Sequence, residues 1–574
     1  MIYSRNLLFL LVFLNFSFKV IAQEKGLNQT YDYQQLIQEY QILDQQYKEA
    51  KLVEVGSSDN GKPIHLLLLA KDEIFDPVSA HASEKTIVFV NNGIHPGEAC
   101  GIEASLKLAK EIVSGTGKMK SILDSVIVLI VPVYNVGGIL NRGSYSRVSQ
   151  NGPEEHGFRG NAKNLDLNRD FIKCDSRNAR TFSRMFRIWD PDIFVDIHTT
   201  NGSNHTYTLT LIATQKDKLN PILSDFLYNE MLDPLYAAMQ SRGQEMVTYV
   251  YPLKKDPKDG IKSFLESPRY SSGYAALFDC IGFITEAHSY KTYEERVKHT
   301  QAFLQELLHY AHKHNLQIKN TRRAAKEYTL NQKRYTIHWE LDSNQHENIP
   351  FKGYKVKKRY SDLLEDSIIY YDTHDPYTTQ LPYYSSYKSK VEIQLPSLYI
   401  VPKAYSKVLE LMKINGIEYD TLEQDELVNV EVYYIDTYES PKQPYEGHYL
   451  HNNIKVRKKE ESLQFYQGDA VISTAQEGVR YIVETLEPES VDGFFAWNFF
   501  DGILQQKEWF SSFSFEPKAM AILNSNDSLR MAFEQKKELD KNFSKSSFAQ
   551  LYFIYKNSKY YEPTVNRYPV YRFK

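Results

Sequence analysis

The stretch TIVFVNNGIHPGE, residues 86–98, decides how the rest of the chain is read. Thr86 to Val90 is a short unbroken apolar run, the pattern of a strand buried on both faces. Gly93 and Gly97 allow a tight turn, and apolar residues then recur at helical spacing from Glu98 to Val113. A strand that turns directly into a helix is half of a βαβ unit. His95 and Glu98 fall on its connecting loop, at the strand edge where open parallel sheets place their sites. Alone, H-x-x-E is weak: among 16 histidines roughly one such match arises by chance, and a plain helix cap is the better reading of it.

Working outward, the same alternation repeats. Tyr31 to Ala50 reads as an exposed helix, with strand-like runs at Leu52 to Gly56 and Ile64 to Ala70. Val126 to Val133 (VIVLIVPV) and Ile193 to Ile197 are further apolar strands. Gly282 to Thr285 is another, led by a short helix ending at Tyr274 to Phe278. Ser176 to Trp189 and Tyr293 to His314 are helical. This predicts an α/β fold with a mixed, largely parallel sheet and helices on both faces. Beyond about Arg322 the texture changes. Tyr335 to Glu340, Tyr354 to Lys358, Lys390 to Leu395 and Val428 to Tyr434 alternate as strands do, and Ala404 to Ile414 is one helical insert closed by Asn415-Gly416. Gly493 to Phe500 (GFFAWNFF) is densely aromatic. The expected organisation is a signal peptide over 1–22, a catalytic domain over 23–325 and a β-rich accessory region of one or two domains over 326–574. The basic stretch Lys319 to Lys326 would join the last two.

Composition narrows the function. At 574 residues the chain exceeds one ordinary core. A formal charge of -4 gives no reason to expect nucleic acid or an acidic membrane surface. Forty-three tyrosines suit sheet packing or contact with sugars and peptides, so glycan contact by the accessory region stays open. Three cysteines, Cys100, Cys174 and Cys280, form neither a disulfide framework nor a C-x-x-C zinc pair, and read as buried thiols. Arg5, the apolar run Leu7 to Phe18 and Val20-Ile21-Ala22 before Gln23 have the form of a signal peptide, too short for a comfortable span, which predicts a secreted or periplasmic protein without stable membrane insertion.

Four segments carry the chemistry: HPGE (95–98), NLDLNRD (164–170), DIH (196–198) and TEAH (285–288). A catalytic zinc usually takes three protein ligands and keeps one open position. His95, Glu98 and His198 are the candidates, brought together from two strand ends and therefore through the fold. Zinc-bound imidazoles donate their other N–H to a carboxylate or carbonyl; Asp166 suits His95, and Asp196, on the strand face of His198, is a second candidate. Arg169 with Asn168 has the planar, two-pronged geometry for a carboxylate. Arg159 is placed to stabilise an oxyanion, with Arg147 as a rival that reads better as a solvated surface charge. Glu286 closes an apolar strand at the active edge, as a general base would, and His288 shares its strand face.

This ordered set, H-x-x-E, D-x-N-R, His and Glu, resembles the zinc metallocarboxypeptidase family typified by pancreatic carboxypeptidase A, over roughly residues 45 to 315. The resemblance implies one Zn2+ per chain on His95, Glu98 and His198, with Asp166 supporting His95. It implies that Asn168 and Arg169 grip the terminal carboxylate of a peptide, that Glu286 is general base and acid, and that Arg159 faces the oxyanion. Tyr270 and Tyr274 are candidates for the family's substrate-binding tyrosine, with Arg269 beside them. The acidic Asp170, following the Asn-Arg pair, is a departure that would reshape carboxylate binding. The activity implied is hydrolysis at the carboxyl end of peptides. Alternatives sharing the site are a peptidoglycan stem-peptide peptidase and an acyl-amino-acid amidohydrolase; a glycan-binding protein with a relic zinc fold is a non-enzymatic one.

Overall fold

The computed structural model describes residues 28–254 and 257–574, so the expected signal segment and its cleavage point at Ala22 lie outside the described residues. The strands of the first half are β1 (Ala50–Ser57), β2 (Pro63–Leu69), β3 (Thr86–Asn91), β4 (Val126–Val131), β5 (Ile193–Thr200), β6 (Leu209–Ala213), β7 (Met246–Thr248), β8 (Ile261–Lys262) and β9 (Ile281–His288). All but β8 form one sheet in the order β1-β2-β4-β3-β5-β9-β6-β7. β4, β3, β5 and β9 run parallel, and β6 runs antiparallel to β9. β3 and β4 are buried at every position, as their unbroken apolar runs require.

Helices Tyr33–Gln46, Cys100–Ser114 and Tyr293–Lys313 cover one face. Cys100–Ser114 buries Ile102, Leu106, Leu108 and Ile112 in the core it shares with the sheet and its neighbouring helices, each burial contributing about 1.5–3 kcal/mol. It ends at Gly115, whose φ of 63° terminates it in the left-handed conformation. The other face carries helix Arg177–Trp189 and then the second half of the chain. Phe182, Phe186, Tyr274 and Phe278 share one continuous core with Val408, Met412, Tyr481, Ile482 and Trp497. The two halves therefore pack through apolar surface rather than hang on a tether.

The basic stretch Lys319 to Lys326 is accordingly not a linker. It lies within helix Asn315–Asn331, where Arg322 binds Asp190 and Asp192 and donates to the carbonyl of Asp279. Lys319 and Lys326 add ion pairs to Asp192 and Asp190. These contacts clamp the helix to the loops entering β5 and β9, the sheet edge opposite the histidines.

The second half contains β10 (Arg334–Leu341), β11 (Glu347–Ser361), β12 (Asp366–Tyr384), β13 (Tyr387–Gln394), β14 (Leu398–Val401), β15 (Asp420–Thr421), β16 (Glu426–Glu439), β17 (Asn452–Phe465), β18 (Ala470–Ser473) and β19 (Tyr571–Phe573). β11 and β12 form a long hairpin that pairs with β8, and six strands form the sheet β15-β18-β14-β19-β16-β17. GFFAWNFF is core rather than surface: Phe494, Phe495 and Trp497 have no exposed area. Four helices between Ser512 and Lys556 pack on one another around Phe515, Phe533, Phe543 and Tyr555, an element the strand-like texture upstream did not announce. Cys100, Cys174 and Cys280 are buried and unpaired. Among the described residues, no helix is long and apolar enough to cross a membrane.

Candidate metal centre

β3, β5 and β9 end side by side, and the site is built on their C-terminal ends. After β3 the chain turns at Gly93, whose φ of 63° favours glycine and where a Cβ would come within 2.9 Å of Val133. His95 and Glu98 follow. His198 comes from β5, and its parallel neighbour in register on β9 is Glu286.

His95 Nδ1 lies 3.2 Å from Glu98 Oε1, and His198 Nδ1 lies 3.1 Å from Glu98 Oε2. One ligand atom from each residue falls within 4.8 Å of the others, and all three residues are buried. Zinc bonds of about 2.0–2.1 Å in a tetrahedron require ligand atoms about 3.4 Å apart, so the two nitrogens and the carboxylate fit the ion. The far nitrogens are also fixed. His95 Nε2 is 2.9 Å from Asp166 Oδ1, and His198 Nε2 is 2.9 Å from Asp196 Oδ2. Asp196 is held in turn by Asn91, whose amide donates to its other oxygen. Each ring is thereby turned with Nδ1 inward.

Charge around the centre is concentrated. Burial opposes ionisation of Glu98, but His95, Arg147 and His198 outweigh it and hold the carboxyl well below its ordinary range. Burial likewise opposes charge on His198, yet Asp196 and Glu98 raise it well above the usual histidine value. Burial works against Asp166 too, and is overcome by His95, Arg159 and Arg169. Glu286 is different: burial, reinforced by the charge of Glu98, pushes it up to about 7. A carboxyl poised near neutrality beside a cation site is suited to exchange protons.

The centre opens into a cavity of about 340 Å³ lined by Arg147, Arg159, Asn168, Arg169, Tyr270 and Glu286, among others. Arg159 Nε donates to Asp166 Oδ2 at 2.9 Å, and its Nη1 lies 3.5 Å from Glu98 Oε1. Arg147 is not the solvated charge its sequence context suggests. Its guanidinium donates to Glu98 Oε1 and to the Thr199 carbonyl, both at 3.0 Å, and its stem crosses Gly97, where a Cβ would sit 2.6 Å from Arg147 Cδ. Arg169 lies over the Tyr270 ring at 4.4 Å.

Four other residues are placed elsewhere. Tyr274 is fully buried in the shared core and donates to Asn415 Oδ1 at 2.6 Å, so of the two tyrosines only Tyr270 reaches the cavity. Arg269 pairs with Asp492 at 2.7 Å and lines an adjoining chamber that shares Phe264, Glu266 and Tyr270 with this cavity. Asp170 has no exposed area; it binds Lys173 and accepts from the backbone N–H groups of Asp175 and Ser176 ahead of helix Arg177–Trp189. It does not line the cavity. His288 shares a strand face with Glu286 but bonds the Ser203 carbonyl and packs on His205, outside the cavity.

Of the cavity residues that escaped the sequence reading, two bear directly on the centre's charge. Thr199 donates its backbone N–H to Glu98 Oε2 at 2.8 Å, and its place beside His198 is the only signal for it. Glu266 is 4 % exposed, with Oε2 buried and unpartnered. Burial, aided by Asp196 and Glu286, pushes it up to about 8. It sits between β8 and the helix Ser271–Ala275, where no periodic pattern marks it.

A mixed α/β sheet carrying a buried two-histidine, one-carboxylate centre at the C-terminal ends of its parallel strands defines a zinc-hydrolase class of site. Residues 36–346, more than half of the chain, match the zinc carboxypeptidase family (Peptidase_M14), and the chain belongs to that family. It is a metallocarboxypeptidase. Carboxypeptidase 2 of Trichophyton tonsurans is 20% identical over 454 residues, covering 76% of this chain and 78% of the relative. Carboxypeptidase 2 of Trichophyton rubrum is 19% identical over 459 residues, with the same coverage of 76% and 78%. These matches are longer than the chain up to residue 346, so they run into its second half. Among solved structures, a metallo-carboxypeptidase from Burkholderia cenocepacia shares 17% identity with a TM-score of 0.37, over 50% of this chain and 71% of that one.

Proposed function

We propose that this metallocarboxypeptidase holds one zinc ion on His95, Glu98 and His198 and removes the last residue of a peptide, with Glu286 as general base and acid. The observation that carries the reading is the joint placement of the three ligands, their carboxylate supports and Glu286 on adjoining strand ends. Bound zinc supplies Lewis acidity, which acidifies water and polarises a carbonyl.

The chain's own residues do the rest. Arg169 and Asn168, beside Tyr270, take the substrate's terminal carboxylate, a two-pronged contact that sets the distance from chain end to scissile bond. Glu286 accepts the proton of the attacking water as the new C–O bond forms. Arg159 donates to the oxyanion that develops on the carbonyl. Glu286 then passes the same proton to the departing amine as the C–N bond breaks, returning to carboxylate. Arg147, on Glu98, fixes that ligand rather than the oxyanion. The N-terminal run from Arg5 to Ala22 supports export of the enzyme.

Mass spectrometry of a defined peptide mixture, incubated with and without a chelator, tests the reading. Single residues should leave carboxyl ends only, and the chelator should stop their release. Cleavage within chains, or from amino ends, would remove the assignment.

A further inference from the structure

The second half of the chain reaches the site through a tight turn in the segment joining β16 to β17. Tyr445 and His448 exchange backbone hydrogen bonds of 2.7 and 3.0 Å across it. The two residues between them, Glu446 and Gly447, have φ of 52° and 81°. Turns of this kind favour Asn, Asp or Gly at both central positions. A glutamate there is a strained choice, and its side chain shows what the strain holds in place. Glu446 Oε2 accepts the backbone N–H of Asp166 at 2.8 Å, and Tyr445 Oη accepts from Arg169 Nε at 2.8 Å.

The turn is itself rigid. His448 Nε2 meets Asp175 Oδ2 at 2.7 Å, the Tyr445 ring stacks on Trp497 at 6.2 Å, and Arg269 lies over both rings. Tyr449 and Asn498 exchange hydrogen bonds just beyond.

We propose that this turn belongs to the active site: Tyr445 sets the orientation of Arg169 for a substrate carboxylate, and Glu446 holds the backbone that presents Asp166 to His95. Both act as positioning residues. The Arg169 guanidinium is fixed on three sides, by Tyr445 at Nε, by the Asn168 carbonyl at Nη1 and by the Tyr270 ring on its face. Among the described residues this uses two of the five N–H groups of a guanidinium and leaves the rest for a carboxylate. Without Tyr445 the fork can rotate about its stem. On the other branch, Glu446 supports Asp166, Asp166 supports His95, and His95 faces the cation position. The zinc centre thus depends on a residue 280 positions downstream of Asp166.

The Tyr445 half rests on the proposed carboxylate clamp; the Glu446 half rests on the metal site alone. The test uses the full-length, zinc-loaded chain. Tyr445→Phe keeps the ring on Trp497 and removes the hydroxyl. It should raise KM about three- to tenfold, the scale of one hydrogen bond, with kcat little changed. The inhibition constant of a released amino acid should rise in parallel. Glu446→Gly relaxes the turn, so its melting temperature should not fall, yet chelator competition should show zinc held about tenfold more weakly. Glu446→Gln, which keeps an acceptor, should recover most of that affinity. If the wild type trims carboxyl ends while Tyr445→Phe leaves KM and the inhibition constant unchanged, the Tyr445 role is overturned and the function stands. Unchanged zinc affinity in Glu446→Gly overturns the Glu446 role. A wild type that trims no carboxyl end, with zinc still weakened in Glu446→Gly, sinks the function and leaves the Glu446 role supported.

Discussion

Glu286 stands directly beside His198, its partner in register on the adjoining parallel strand. In the proposed mechanism the pairing would set the proton-accepting carboxylate against a zinc ligand while keeping the two roles on separate residues. Replacing Glu286 by Gln preserves shape and removes the proton acceptor. Zinc content should therefore stay stoichiometric while kcat falls at least about a hundredfold, the usual contribution of a general base. Near-normal turnover in that variant, measured alongside metal content, would take Glu286 out of the mechanism.

As the proposed base, the same carboxyl should set the acid limb of the pH profile. Burial and the neighbouring Glu98 push Glu286 up to about 7, and a divalent cation nearby favours the ionised form and pulls it back down. A base works only when unprotonated, so kcat/KM of the zinc enzyme should rise with pH. The midpoint should lie between the ordinary glutamate value of about 4.3 and 7. A profile that is flat from pH 4 to 8, or one whose acid limb lies above 7, contradicts this assignment.

Asp196 offers a test of how the imidazole is oriented. One of its oxygens accepts from Asn91 and the other faces His198 Nε2. Asparagine at 196 would turn an NH2 group toward one of two existing donors, since it cannot accept on both sides. Zinc affinity of Asp196→Asn should drop about 10- to 100-fold, the common cost of losing such a support. Chelator competition measures it, and an affinity within twofold of wild type would show that His198 needs no such partner.

What the sequence reveals of this site follows the regular elements. β3, β5 and β9 are apolar runs that stop where a polar side chain begins, so His95, His198 and Glu286 are marked by the break in pattern. Asp166 and Arg169 are found because their motif is short and local. Tyr274 is misjudged because neighbouring tyrosines look alike in sequence. In the structure Tyr270 precedes the helix Ser271–Ala275 and faces the cavity, whereas Tyr274, inside it, faces Phe171 and Phe186. Arg147 looks like a loop charge because nothing local signals Glu98, 49 residues away. Tyr445 and Glu446 are less legible still: they reach the site across 276 and 280 residues, and only the folded chain brings them there.

Glu266 makes a prediction about stability rather than turnover. Burial and the charges of Asp196 and Glu286 raise its carboxyl from 4.5 to about 8 in the folded protein. The folded state then binds a proton that the unfolded state has already released, so this group costs stability as pH climbs from the unfolded value to the folded one. At about 1.36 kcal/mol per unit the full loss is at most about 5 kcal/mol. Glu266→Gln cannot ionise and escapes it. The two proteins should melt within a few degrees of each other near pH 5, and the variant should gain on the wild type up to about pH 8 and then hold a constant lead to pH 9. Paired thermal melts across that range check the sign; a wild type that gains on the variant as pH rises would mean that the carboxylate is stabilised by a cation, the zinc ion included, strongly enough to outweigh its burial.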